Sequence, residues 1–270
     1  MICSRQLPAL PLLYSLFTLL LTLGCTPAIQ NNHTSNPNAY NTPPLRVGIS
    51  ADMPPMVYKI DGRLQGLEID LAQQLGVYLK RPVKFIELDW DKQIPSLEAG
   101  KIDIIMSGMT ITPKRAYRVS FTQPYMRSGQ LLLVRSQEAK RYSKGIFSLM
   151  GNKPAIGTIT NTTGDFFVTR TIHRANITRF SSSEKAVSAL IKGDIDAFVH
   201  DAPVICYLAA QYESARLSPI LQLAKEEMLA WAVNRMDQNL LSDVNTFLTT
   251  TRENQQLSNT ITHWIPYIKP

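Results

Sequence analysis

The stretch Gly100-Lys101-Ile102-Asp103-Ile104-Ile105-Met106-Ser107-Gly108-Met109-Thr110-Ile111-Thr112-Pro113-Lys114-Arg115 decides the fold. Gly100 closes a short helical pattern over Lys92–Ala99. Ile102–Met106 is apolar except for Asp103 and reads as a strand. Thr112 and Pro113 then suit the N-cap and first position of a helix. Working backward, Leu45–Ile49 and Val83–Leu88 read as strands. Between them Gly66–Lys80 places Leu67, Leu71, Leu75, Tyr78 and Leu79 at helical spacing. Pro54-Pro55 and Asp61-Gly62 mark turns. Strand–helix–strand–helix–strand implies a parallel sheet flanked by helices.

Downstream, after a further strand over Gly129–Val134, the pattern repeats. Strands are expected at Ala155–Thr158, Ile177–Phe180 and Ile195–Val199, and helices at Thr163–Ala175 and Pro203–Tyr212. Ser181-Ser182-Ser183-Glu184 reads as a capping box opening a third helix that runs to Lys192 and stops at Gly193. A late strand over Met228–Val233 and helices near 237–250 and 254–264 follow. If the late strand rejoins the first block, the chain crosses twice between two lobes, which then open and close on a ligand. Open α/β sheets bind at the carboxyl ends of their strands, so the loops after residues 49, 106, 158 and 199 are where chemistry is expected.

Those loops carry three candidates. Arg115 lies in the first turn of its helix, where a cation opposes the helix dipole by roughly a few tenths of a kcal/mol. That placement points to an anion partner, and the guanidinium fork matches a carboxylate; a solvated surface arginine is the other reading. Thr158-Ile159-Thr160-Asn161-Thr162-Thr163-Gly164-Asp165 joins a strand to a helix, as an anion-binding helix start or a plain capping loop. Asp201, two residues before Pro203, reads as a helix cap or as a carboxylate for a ligand ammonium. His200 either adds a side-chain contact or faces solvent.

The N-terminus reads as a leader. Arg5 precedes a Leu-rich run from Leu10 to Leu23, too short to span a membrane and ending at Gly24-Cys25. Residues 1–24 are expected to be a signal peptide, with Cys25 lipidated as the first mature residue, although Thr22 departs from the usual lipoprotein pattern. Residues 25–44, rich in Asn, Thr, Ser and Pro, read as a flexible tether. The 270 residues carry a net charge of +7, but their Lys and Arg are scattered, which argues against nucleic-acid binding. With Cys3 and Cys25 in the leader region, Cys206 is alone in the body and reads as buried and inert. One Cys and four scattered His give no metal-ligand spacing, and no cofactor motif is present.

Leu45-Arg46-Val47-Gly48-Ile49, the helix start Gly66-Leu67-Glu68-Ile69-Asp70, Asp89-Trp90, Gly100-Lys101-Ile102-Asp103, Ser107–Arg115, Ser120-Phe121-Thr122-Gln123-Pro124-Tyr125, Gly193-Asp194-Ile195-Asp196 and Asp201-Ala202-Pro203 together resemble family 3 solute-binding proteins. These are the polar amino-acid-binding components of ABC transporters. The resemblance covers about residues 45–265. It implies a two-lobed periplasmic-binding-protein fold (type II) with two crossover strands: residues 45–133 plus 228–270 as lobe 1, and 134–227 as lobe 2. It further implies that Arg115 pairs with the ligand α-carboxylate and Asp201 with its α-ammonium. Ser107, Gly108 and Thr110 hydrogen-bond both ends, Thr162 or Thr163 adds contacts, and Trp90 packs on the ligand side chain. Ser50 and Met53 stand where many members carry an acid and a stacking aromatic, which leans the ligand toward a neutral polar amino acid. The pair His200-Asp201 is like that of glutamine binders, but Ile159 replaces their lysine.

What the resemblance implies is a periplasmic or lipid-anchored monomer that delivers its ligand to an ABC permease. Two alternatives remain: a periplasmic enzyme resembling cyclohexadienyl dehydratases, and a free-standing partner of a sensor. The enzyme needs a general acid in the cleft, and the residues following Asp201 (Ala202, Pro203, Val204, Ile205) offer none.

Overall fold

The computed structural model describes residues 42–150 and 153–266. The leader, Cys25 and the tether before residue 42 lie outside them. The first half comprises β1 (Leu45–Ile49), β2 (Asp52–Met53), β3 (Val57–Ile60), β4 (Arg63–Gln65), α1 (Leu67–Leu79), β5 (Val83–Glu87), α2 (Gln93–Glu98), β6 (Ile104–Ile105), α3 (Pro113–Ala116), β7 (Ser120–Phe121) and β8 (Met126–Arg135). The second comprises β9 (Ala155–Ile159), α4 (Thr163–Thr171), β10 (Asn176–Phe180), α5 (Ser183–Lys192), β11 (Ala197–Asp201), α6 (Ala202–Gln211), β12 (Leu217–Ile220), β13 (Glu226–Leu229), β14 (Ala232–Val233), α7 (Gln238–Glu253) and α8 (Gln256–Trp264).

Two sheets result, ordered β5-β1-β6-β14-β7 and β10-β9-β11-β8-β12. Each begins with a parallel triplet whose first strand lies in the middle. Since β-α-β crossovers are right-handed in nearly all proteins, stepping outward in opposite directions puts successive helices on opposite faces. The repetition reaches single residues. Asp103 accepts the N–H of Arg46 at 2.8 Å, and Asp196 accepts the N–H of Ala155 at 2.8 Å. Each acid thus ties the end of a Gly-x-Ile-Asp segment to the start of its sheet's central strand. Gly48 and Gly157 occupy matching places, where a Cβ would lie 2.4 Å from Ile102 Cδ1 and 2.5 Å from Ile195 Cδ1. Each sheet is packed on both faces. Leu71, Leu75, Val244, Phe247 and Ile261 of α1, α7 and α8 cover one face of the first, and Leu97 and Ile102 the other. Val187, Leu190 and Ile205 of α5 and α6 cover one face of the second, and Val168 and Ile172 of α4 with its following turn the other.

β8 and β13 connect the lobes. The first half of β8 pairs antiparallel with β13, from Met126↔Leu229 to Gly129↔Glu226, and the second half pairs with β11 and β12. Gln130–Leu133, placed in lobe 1 by the sequence, therefore hydrogen-bond within the second sheet. The late strand is broken in two at Ala230-Trp231, because its first part pairs with β8 and its second enters the first sheet beside β6 and β7.

Other expectations shift locally. The cap of α5 is Ser182, whose side chain accepts from Lys185 N, so the expected Ser181/Glu184 box is displaced by one residue. α4 ends at Thr171 rather than Ala175, since β10 begins at Asn176 and the chain must turn first. Asp61-Gly62 does form a hairpin turn, with both φ angles positive, between β3 and β4. Cys206 is half-buried against the second lobe's core, and burial pushes its thiol pKa up. Among the described residues no helix is long and apolar enough to cross a membrane, and no group of three His, Cys, Asp or Glu is placed to hold a metal.

Candidate functional site

Thr112 caps α3, its Oγ1 accepting from Arg115 N at 3.3 Å. The Arg115 side chain turns back, donates from Nη1 to Thr110 O at 2.9 Å, and lies 5.1 Å over the Trp90 ring. No salt bridge to Arg115 exists among the described residues. Burial lowers its pKa, partly offset by the carboxylates of Asp201 and Glu227. A desolvated guanidinium without an ion pair is costly unless an anion joins it. Trp90 serves this arginine, and its Nε1–H donates to Asn161 O at 3.1 Å across the cleft.

Asp201 ends β11 and makes no side-chain cap on α6, so the capping reading fails. Its Oδ1 instead accepts from Gln130 Nε2. Burial raises its pKa to about 6, opposed by that hydrogen bond and by Arg115. Gln130 Nε2 also donates to Glu227 Oε2 at 3.0 Å and to Thr163 Oγ1 at 3.2 Å. Glu227 Oε2 further accepts from Thr110 Oγ1 and Thr163 Oγ1, each at 3.0 Å. Thus Thr110 of the first lobe and Thr163 of the second meet on one carboxylate carried by β13.

Glu227 and Gln130 escaped the sequence reading, and Glu227 corrects the statement that no further acid lies near Asp201. A signal existed. Along Glu226–Leu229 burial alternates, with Glu227 on the buried face beside Leu229. Period-two reasoning from the apolar run would have turned Glu227 inward.

The remaining candidates divide. Ser107 Oγ accepts from Ser50 N at 2.9 Å, binding the loops after β1 and β6 to each other. The Gly108 N–H is given to the buried Glu68 at 2.7 Å, so this residue shapes the loop rather than presenting its amide to a ligand. Met53 is buried and packs near Gly108. Ser50 Oγ donates to Leu88 O and accepts from Gln93 Nε2, both at 3.0 Å. Thr162 caps α4 and donates to Ile159 O, leaving Thr163 as the threonine in the network. The expected anion site at the start of α4 is supplied internally. Buried Asp165 accepts from Asn161 N at 3.2 Å and from Arg179 Nε at 3.0 Å.

Two cavities flank the Trp90–Asn161 contact and share Trp90, Asp91 and Asn161. One, of about 1030 Å³, is lined by Thr110, Arg115, Thr163 and Glu227. The other, of about 760 Å³, is lined by Ser50, Asp52, Met53, Asp89, Thr162 and His200. Asp201, Ser107 and Gly108 are buried but line neither cavity. His200 is buried rather than facing solvent, and loss of water lowers its pKa to about 4. Its Nδ1 accepts from Asp201 N at 2.6 Å, which leaves the ring proton on Nε2. Asp52 is open to solvent-sized molecules yet crowded by the cleft walls, and this desolvation raises its pKa.

A family model for bacterial extracellular solute-binding proteins, family 3, matches residues 45–267. The L-arginine-binding protein of Pseudomonas aeruginosa is 32% identical over 162 residues, 59% of this chain and 61% of that protein. The chain thus spans about three-fifths of that relative's length. ABC transporter arginine-binding protein 1 of Escherichia coli K12 is 26% identical over 232 residues, 82% of this chain and 90% of that protein. Among solved structures, an ancestral amino acid-binding protein, AncCDT-1, described as a precursor of cyclohexadienyl dehydratase, is 34% identical. It has a TM-score of 0.75, over 82% of this chain and 94% of that one.

Proposed function

The chain belongs to family 3 of the bacterial extracellular solute-binding proteins, and on that premise we propose that it captures one free amino acid between its lobes for an ABC importer. The observation that carries this reading is Arg115: a desolvated cation with no ion pair among the described residues, set in the cleft with the Asp201 carboxylate in its field. A zwitterion offers the complementary pair, its carboxylate to Arg115 and its ammonium to Asp201. Thr110 and Thr163, one from each lobe, supply hydroxyls to the same ligand. We take the lobes to part within β8 and β13. The protein works outside the cytoplasm as a monomer, held to a membrane through Cys25 and docking on a permease.

For the side chain we favour a neutral polar group. Ser50 is already committed to Leu88 and Gln93, so it does not decide the charge. The second cavity pairs a donor, His200 Nε2–H, with an acceptor, the Asp52 carboxylate, and a carboxamide satisfies both. A cationic side chain is the second reading. Asp52 and Asp89 have no salt bridge among the described residues, and the two relatives named above are arginine-binding proteins. A thermal-shift screen of the twenty amino acids decides, since a ligand at 100 times its Kd stabilises by about 2.7 kcal/mol. Glutamine or asparagine is expected to raise the melting temperature most. A shift confined to arginine and lysine selects the second reading, and no shift at all removes amino-acid capture. Glu227 gives the enzyme alternative the acid it lacked, so prephenate and arogenate belong in the same assay. We expect no turnover, because Glu227 is engaged by three donors rather than free to protonate a leaving group.

Affinity is also expected to depend on pH. Asp201 titrates near 6, so below that pH its charge, and with it the ammonium contact, is lost. Binding should weaken toward tenfold per pH unit, on the order of one proton per site. Ligand-free stability should not follow. Asp201, with its pKa raised, contributes stability that is present below 3.8 and lost as pH rises through about 6. His200, with its pKa lowered, contributes stability that is present above 6.5 and lost as pH falls through about 4. The two oppose each other across this window. Calorimetric titration beside melting curves at pH 7, 6 and 5 checks it: affinity falling while the melting temperature holds is the expected pattern.

A further inference from the structure

Gln130 is fully buried, and its amide nitrogen faces three acceptors: Asp201 Oδ1, Glu227 Oε2 and Thr163 Oγ1. An amide nitrogen has two hydrogens, so it serves at most two of the three at once, and the other donors to Glu227 Oε2, Thr110 and Thr163, are neutral hydroxyls. The Gln130 Oε1 atom is buried with no hydrogen-bond partner among the described residues. Two carboxylates therefore converge on a neutral group that satisfies neither their charge nor its own oxygen. A primary ammonium has three hydrogens and a full positive charge, which matches three acceptors of which two are anionic.

We propose that Glu227 is a second carboxylate of the ammonium seat: the ligand's α-ammonium takes the place of the Gln130 amide nitrogen and is held jointly by Asp201, Glu227 and Thr163. This rests on the amino-acid capture proposed above. It adds a residue from the crossing strand β13 to a site otherwise built from the two lobes. It also gives Gln130 a purpose, as an internal stand-in that keeps two like charges from meeting unscreened while the seat awaits its ligand. Burial bears on the energetics, since Asp201 already carries a raised pKa and Glu227 is only 6% exposed. A ligand lacking a free primary amine leaves both acids uncompensated and is rejected.

The test sets the opposite role against this one. Glu227 accepts from Thr110 and Thr163, which would otherwise serve a ligand carboxylate, and in that role it is an internal competitor. The two roles predict opposite signs. Calorimetric titration of the whole mature chain with L-glutamine, L-arginine, L-lysine and L-histidine, and with their Nα-acetyl forms, distinguishes them. If Glu227 holds the ammonium, Glu227→Gln weakens binding of the recognised amino acid by at least about tenfold. It also narrows the margin by which that amino acid is preferred over its Nα-acetyl form. A merely structural role lowers both affinities together and leaves the margin unchanged. Glu227→Asp, which keeps the charge on a shorter arm, restores part of the affinity, and it replaces the first variant should that one fail to fold. Unchanged or tighter binding by Glu227→Gln, or an unchanged margin, overturns the proposal while capture stands. Failure of all four amino acids to bind the wild-type chain points instead at the capture reading itself.

Discussion

Replacing Arg115 by alanine is expected to weaken capture of the ligand by about 2–5 kcal/mol, or roughly thirtyfold to several-thousandfold in Kd. The magnitude follows from what is removed. Arg115 is desolvated, fixed by one bond to Thr110 O and by the face of Trp90, and has no salt bridge among the described residues. Its guanidinium is thus partly desolvated and held in place on the wall of the first cavity, where the ligand carboxylate meets a pre-oriented fork. Such preorganised charge pairs are the contacts whose truncation costs most, because the partner charge is left without compensation. Stability should behave oppositely. With no internal ion pair to lose, the alanine variant is expected to melt within a few degrees of the wild type, or slightly above it. Arg115→Lys keeps the charge but loses the fork and the stacking on Trp90, so it should recover only part of the affinity. Titration calorimetry beside a melting curve tests all three statements. A Kd unchanged in Arg115→Ala would remove this residue from the site.

Much of the fold was legible because its signals are local. The spacing of Leu67, Leu71 and Leu75, the stops at Gly100 and Gly193 and the apolar runs at β1, β6 and β11 are all read within a few residues. The second block's repetition of the first was visible as the twin Gly-x-Ile-Asp segments, although nothing in them said that each acid reaches back to a strand start. Boundaries failed where tertiary pairing decides them. β8 runs through two sheets without a break, so no turn marks the passage between lobes. The late strand divides at Trp231 because its two parts have different partners, which no periodicity records.

The site was legible in part, for the same reason. Arg115 was singled out as a cation in the first turn of a helix. However, α3 is a single turn, Pro113–Ala116, with Arg115 also in its last turn, so the dipole does not set it apart, and its place on the cleft wall carries the proposal instead. Asp201 was singled out by position but given two roles. Its side chain makes no cap and turns instead to Gln130, 71 residues away, which removes the capping role and leaves the ammonium role as the proposal. Gln130 and Glu227 lie 97 residues apart on strands that look like ordinary connectors, so their meeting is a product of topology alone. Gly108 was expected to bind ligand because it lies in the right loop. Its amide is instead spent on Glu68, an acid that in sequence resembles any other in the first turn of a helix.

Glu68 carries the largest expected effect on stability. It is fully buried, and it accepts from Gly108 N, Tyr125 Oη and Trp231 Nε1, each at 2.7 Å. Burial alone pushes its pKa up, and these three donors pull it back. One carboxylate thereby fastens the loop after β6, the approach to β8 and the junction between β13 and β14. Glu68→Ala leaves three buried donors unpaired and a cavity beside them. At about 1–3 kcal/mol for each unsatisfied group, partly relieved by water, the loss should reach about 3–5 kcal/mol. For a body of this size that lowers the melting temperature by roughly 6–20 °C. Glu68→Gln keeps the volume and one strong acceptor but turns an N–H₂ toward other donors, so it should fall between the two. Because Gly108 leads directly into Thr110 and Arg115, the glutamine variant should also bind ligand less tightly, although it touches none. Thermal unfolding of the three proteins, with and without ligand, measures both effects. A melting temperature within two degrees of wild type in Glu68→Ala would show that water, not this carboxylate, satisfies the three donors.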